Sequence, residues 1–251
     1  MPNLLSSIRK RLRPRHLVEI TTDEELLEST HWIDKPPLRL SISPQMLRMQ
    51  GAYAFREGHP FIDALKSGRG ALERFYSVTQ PKNVAELYGI DAAFRLGANL
   101  PAWEIPWYLR KERTPPPGEK GLAGEHGVSF YGPATKEKVA LEFRRLTDLR
   151  SSISLRGYDP DLYGDIEGYV LRSGGEACFF VRGGKHRAAV LVSLGYERIP
   201  VAFRSSFPRL VDRDQAEFWP LVKSGQMDIG LAQDILAAYT TNNYLKAEKN
   251  E

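Results

Sequence analysis

The chain has 251 residues, 42 % of them apolar, which supplies enough material for a real core and excludes a disordered protein. Its 35 Lys and Arg outweigh 31 Asp and Glu by only four charges. That is well short of the basic stripe of a dedicated nucleic-acid binder, and it suits an anionic small ligand or an anionic surface.

The single cysteine, Cys178, lies in an apolar run, so neither an internal disulfide nor a Cys-rich metal framework is available. The five histidines are too dispersed for a metal-ligand motif. No apolar stretch approaches the roughly 20 residues of a membrane span, and Leu4, Leu5 and Ile8 give way to charge too early for a signal peptide. The expectation is a reduced, cytoplasmic protein.

Residues 1–16 hold Arg9, Lys10, Arg11, Arg13 and Arg15 with no acid, and Leu4, Leu5, Ile8 and Leu12 recur at helical spacing. Residues 4–15 therefore read either as a basic amphipathic helix touching an anionic membrane surface or as a solvated terminus. From about Pro36 to Leu100 the pattern is one of short helices broken by Gly and Pro. Ala71–Tyr76 is helical, and Asn83 caps Val84–Tyr88, with Gly89 as the terminating residue. Leu100–Trp107 reads as an extended segment burying Trp103 and Trp107. The polar, Pro-rich run from Arg110 to Gly118 then marks a boundary. Three parts result: a mostly helical extension with a basic arm over 1–118, an α/β (α+β) domain over 119–205, and a C-terminal helical segment over 206–251.

The second part has the more regular pattern. Val139, Phe143, Leu146, Leu149 and Ile153 give an amphipathic helix over Glu137–Leu155, with Gly157 placed for a left-handed cap. Gly168–Leu171 and Ala177–Val181 flank Ser173-Gly174-Gly175 as a hairpin. A helix over Ala188–Leu194 and a strand alternating at Ile199, Val201 and Phe203 follow. Leu231–Tyr239 reads as a further helix.

Chemistry concentrates at Val181-Arg182-Gly183-Gly184-Lys185-His186-Arg187-Ala188. A strand runs into two glycines, then cationic residues, then an apolar helix. Glycine lets the backbone approach an anion, and the first helical amides lack intrahelical partners. Lys185 and Arg187 oppose the helix dipole unless an anion is bound, and an Arg can grip phosphate with paired hydrogen bonds. An ordinary solvated loop is the competing reading.

The order Leu146-x-x-Leu149-x-x-Ser152-Ile153-x-x-x-Gly157, hairpin, Gly183-Gly184-Lys185-His186-Arg187-Ala188-Ala189, then Leu194-Gly195-Tyr196-x-x-Ile199-Pro200-Val201 resembles the ParB/sulfiredoxin-like superfamily over about residues 135–205. The resemblance implies a compact domain of that type, with Gly183, Gly184, Lys185, His186 and Arg187 holding nucleotide phosphates. Sulfiredoxins carry Gly-Gly-Cys-His-Arg at this turn. Lys185 replaces that cysteine here, and Cys178 falls within a strand pattern suited to the core. The segment that follows this domain in DNA-partitioning ParB proteins is also missing after Arg204.

Among the remaining activities, the resemblance points to a small-molecule kinase or a nucleotide hydrolase using ATP or another nucleotide, with Mg²⁺, on a small hydroxylated acceptor. A non-catalytic nucleotide- or nucleic-acid-binding module is the rival. A base is wanted for an acceptor hydroxyl. By analogy with family kinases the first choice is Glu142, read as lying on the polar side of its helix. His186 is placed to contact phosphate, and Asp159, Asp161 and Asp165 are candidates for metal. His126, in His126-Gly127-Val128-Ser129-Phe130-Tyr131-Gly132-Pro133, suits either a proton shuttle or a turn-stabilising role.

Overall fold

The computed structural model describes residues 17–32, 38–91, 94–109, 114–128 and 130–241. The basic arm, the 110–113 part of the connector and Ser129 lie outside the described residues. Leu17–Ile20 forms β1, and Thr22 opens α1 (Asp23–Ser29) with a reciprocal capping box. The Glu25 amide donates to the Thr22 hydroxyl at 3.1 Å, and the Thr22 amide donates to the Glu25 carboxylate at 3.3 Å. Strands β2 (Arg39–Ile42), β3 (Leu47–Met49) and β4 (Tyr53–Ala54) follow. Next come helices α2 (Pro60–Ser67), α3 (Arg69–Val78) and α4 (Val84–Tyr88). The last is bounded as expected, because the Asn83 side chain accepts from the Glu86 amide at 2.9 Å and Gly89 is left-handed.

Residues 100–107 form successive turns instead of an extended segment. Trp107 is nevertheless in the core, its indole N–H donating to the Tyr169 hydroxyl at 2.9 Å. The long helix α5 (Lys136–Arg156) begins at Thr135, whose side chain accepts from the Lys138 amide. Gly157 ends it with a positive φ of 75° but an extended ψ of 171°, outside the left-handed helical region. There follow α6 (Pro160–Tyr163), β5 (Ile166–Ser173), β6 (Glu176–Gly183), α7 (Lys185–Ser193), β7 (Ile199–Phe203) and β8 (Leu210–Asp212). Helices α8 (Pro220–Lys223) and α9 (Ile229–Thr240) complete the order.

The sheet runs β1-β2-β7-β5-β6-β3-β4, with parallel and antiparallel pairs mixed. Its centre is the expected β5–β6 hairpin, in which Val170 faces Phe179 and Tyr169 faces Phe180. Strand β5 is long enough to be shared along one edge. Ile166–Gly168 pair with β7, and Val170–Arg172 pair with β8. Tyr169 and Phe180 lie on one face, where their rings meet Trp107 and, from α9, Tyr239.

Strands β2 and β3 join β7 and β6, so the sheet is built across position 118, and β8 and α9 carry it beyond 205. The N-terminal part therefore contributes strands as well as the expected helices. Their sequences hid them because Arg39 and Arg48 interrupt short apolar runs. Arg39 is ion-paired, and Arg48 is held inside by the Tyr239 carbonyl at 3.0 Å.

Candidate functional site

Strand β6 ends at Gly183 and α7 starts at Lys185, with Gly184 between them as its N-cap at φ 82° and ψ 24°. This left-handed conformation favours glycine. A Cβ here would stand 2.9 Å from the Arg187 guanidinium and 3.0 Å from the Ile166 Cα. No side chain caps the helix, and its first intrahelical amide bond is Ala188 to the Gly184 carbonyl. The amides of Lys185, His186 and Arg187 therefore carry the positive end of the helix dipole outward.

That end opens on a cavity of about 590 Å³. Its wall combines the cations Arg145, Arg182 and Lys185 with Glu119, Glu142 and His186. Helix α7 packs against α2 and α5, so the α5 carboxylate reaches the turn, and Phe61 of α2 lies 4.9 Å from the His186 ring.

Glu142 is 1 % exposed. It accepts from the Tyr76 hydroxyl at 2.5 Å and from Lys138 Nζ at 3.2 Å, and its other oxygen is 3.4 Å from His186 Nε2. Burial pushes its pKa up, but the His186 hydrogen bond, the Lys138 charge and the Tyr76 hydroxyl bring it down to about 2. Glu119 goes the other way. Burial raises it, the His186 charge opposes that rise, and the Glu142 charge adds to it. The Arg145 guanidinium donates to Glu119, and Glu119 Oε1 lies 3.3 Å from His186 Nε2. One imidazole nitrogen is thus shared between a carboxylate held ionised and one biased toward its proton, a separation that marks acid–base pairs. The expected general base, Glu142, is not on a polar helix face but locked inside by three partners. It orients His186 better than it could take a proton.

Lys185 stands on the other side of the turn. Its amine lies 4.5 Å from the Phe130 ring centre and has no ion-pair partner among the described residues. Burial, followed by the Arg182 charge, lowers its pKa to about 7, against the pull of Glu142 and Glu119.

Other expected site residues are placed differently. Arg187 also lines the cavity; its two terminal nitrogens donate to the Tyr163 and Asp165 carbonyls and anchor the α6–β5 connection, while its Nε has no hydrogen-bond partner among the described residues. Asp161 and Asp165 bind Arg39 at 2.7 and 2.6 Å, while Asp159 caps α6. The three form no common metal cluster among the described residues. His126 bonds Thr135 Oγ1 at 3.1 Å in a tight turn and does not line the cavity, which matches its turn-stabilising alternative. Cys178 is buried, with a thiol pushed up to about 12 by burial.

Glu119, Glu142 and His186 offer donor atoms within 4.8 Å of one another. Lys138 and Arg145 already neutralise the two carboxylates, so a cation there would compete with two built-in charges. Glu119, Tyr76, Lys138 and Arg182 were not foreseen from the sequence. The only advance signal was the i,i+4 spacing of Lys138 and Glu142. Compared with protein-family models, curated proteins and solved structures, the chain matches none.

Proposed function

We propose that the protein is a nucleotide-dependent phosphotransferase acting on a small hydroxylated compound, or a nucleotide hydrolase. The observation that carries this reading is the uncapped start of α7. It faces a cavity that also holds Lys185, Arg182 and the Glu119–His186–Glu142 cluster. Free amides, a helix dipole and two cations favour a phosphate at that point. Phosphoryl transfer asks the protein mainly for placement and charge neutralisation, which these groups supply.

In this reading His186 is the catalytic base. Its Nε2 hydrogen is shared by Glu119 and Glu142, which leaves Nδ1 as the basic nitrogen to accept the proton of the attacking hydroxyl or water. Glu142 stays ionised and fixes the ring, and Glu119 takes up or returns the proton that the ring shares. Mg²⁺ would enter bound to the nucleotide, and no protein-held metal is required. The ParB/sulfiredoxin-like resemblance over about 135–205 supports the same placement of phosphate.

The experiment is release of ADP from ATP and Mg²⁺, with and without hydroxylated acceptors. The expected result is turnover that falls about 100-fold or more in His186→Gln while nucleotide binding persists. Unchanged turnover in that variant would remove His186 from the chemistry.

A further inference from the structure

A second cavity of about 240 Å³ lies against the first, sharing Arg182 and Lys185 with it. Its other walls include Trp103, Tyr108, Phe130 and Gln50, and among the described residues no acid lines it. Lys185 thus stands between two cavities with an amine that no carboxylate among the described residues claims. We infer that Lys185 is a nucleophilic amine that forms an imine with a small carbonyl compound carrying an anionic group.

Three placements make the amine reactive. It rests on the Phe130 ring, which excludes water from one side and, although its face attracts an ammonium, holds the amine in place between the cavities. It starts a nine-residue helix, where the dipole disfavours a positive charge. Arg182 of β6 shares both cavities and opposes a second cation there. A half-buried lysine beside another cation is an arrangement that can free a lone pair near neutral pH. The other charged groups around it are Glu142 and Lys138 of α5, Glu119 before α5, His59 before α2, and His186 and Arg187 on its own helix. Their net effect, with burial foremost, holds the amine at about 7.

In the reaction the neutral Nζ adds to the carbonyl carbon and the proton passes from nitrogen to oxygen. Loss of water then leaves the C=N bond, so nothing is oxidised or reduced. Arg182 holds the anionic group of the carbonyl compound, and the flat aromatic walls hold its carbon frame. This reactivity does not rest on the nucleotide reading.

The test uses the full chain with glyoxylate as probe and cyanoborohydride to trap the imine, followed by mass mapping of lysines. At pH 7 Lys185 is expected to be labelled at least about tenfold faster than the exposed Lys66, with a rate that levels off above a midpoint near 7. Acetaldehyde, lacking the anionic group, should label more slowly. Labelling of Lys185 no faster than Lys66, or a rate still climbing toward pH 10, would overturn the inference. ATP is expected to slow the labelling. Labelling that proceeds while ATP neither binds nor protects would uphold the imine and remove the nucleotide reading alone.

Discussion

The Tyr76 hydroxyl and the Glu142 carboxylate meet at 2.5 Å, joining α3 to α5 around a charge that is almost wholly buried. Lys138 completes the arrangement, fully buried and 3.8 Å from the Tyr76 ring centre. Orientation of His186 from within rests on this core of polar groups, so removing one member should disturb the others.

Glu142→Ala should cost about 3–5 kcal/mol, because it leaves the buried Lys138 without its counter-charge. Tyr76→Phe should cost about 1.5–3 kcal/mol, the scale of a hydrogen bond to a charged group. The double variant Lys138→Met, Glu142→Leu should recover much of the first loss. Urea denaturation checks all three, and a double variant no more stable than Glu142→Ala would contradict the expected recovery.

Two buried groups contribute to the acid limb of stability in different windows. His59 is buried, accepts the Phe61 amide at Nδ1 and is depressed to about 3 by burial and by the nearby His186 and Lys185 charges. Its contribution is full above the ordinary value of 6.5 and is lost as pH falls from there toward 3. Glu142 is likewise depressed, so its contribution is full above 4.5 and is lost as pH falls toward 2. Thermal unfolding between pH 7 and 5 should therefore flatten in His59→Asn, which keeps a capping side chain, and retain its slope in Glu142→Gln.

Arg187→Ala should lower stability by about 1–3 kcal/mol through the freed Tyr163 and Asp165 carbonyls. It should leave ATP affinity within about threefold, since both terminal nitrogens of the guanidinium donate to the protein's own carbonyls. Calorimetry on a variant that still unfolds cooperatively separates the two effects. A tenfold loss of affinity would return Arg187 to the phosphate site.

Gly184→Ala should destabilise the fold by about 1–2 kcal/mol, because φ 82° strains an L side chain and the new Cβ crowds the Ile166 backbone. The same methyl would stand where an anion must approach, so phosphate binding should weaken as well. Unchanged melting temperature would contradict the strain.

The sequence made α5 and β7 legible through their apolar spacing, and the β5–β6 hairpin through two continuous apolar runs, buried on both faces, around Ser173-Gly174-Gly175. It misplaced Glu142 by judging residue type before position. At 100° per residue Glu142 lies only about 40° from Leu146 along the helix, on the flank of the apolar stripe. Glu119 gave no local signal, since its role arises only where a loop brings it to Arg145 and His186. The sharing of β5 between β7 and β8 was equally hidden, because pairing of distant segments leaves no period in either one. The glycine turn itself was readable, but the bonds from Arg187 to the Tyr163 and Asp165 carbonyls were not, because nothing in the sequence shows which carbonyls a guanidinium will meet.

The central claim is that an oxyanion binds at the start of α7. Isothermal titration of the full chain with ATP, with and without Mg²⁺, tests it most directly when Lys185→Ala and Arg182→Ala are titrated alongside. Saturable one-to-one binding that weakens by about tenfold or more in each variant is the predicted result. No binding heat in the unaltered protein, or equal affinity in all three, would contradict it.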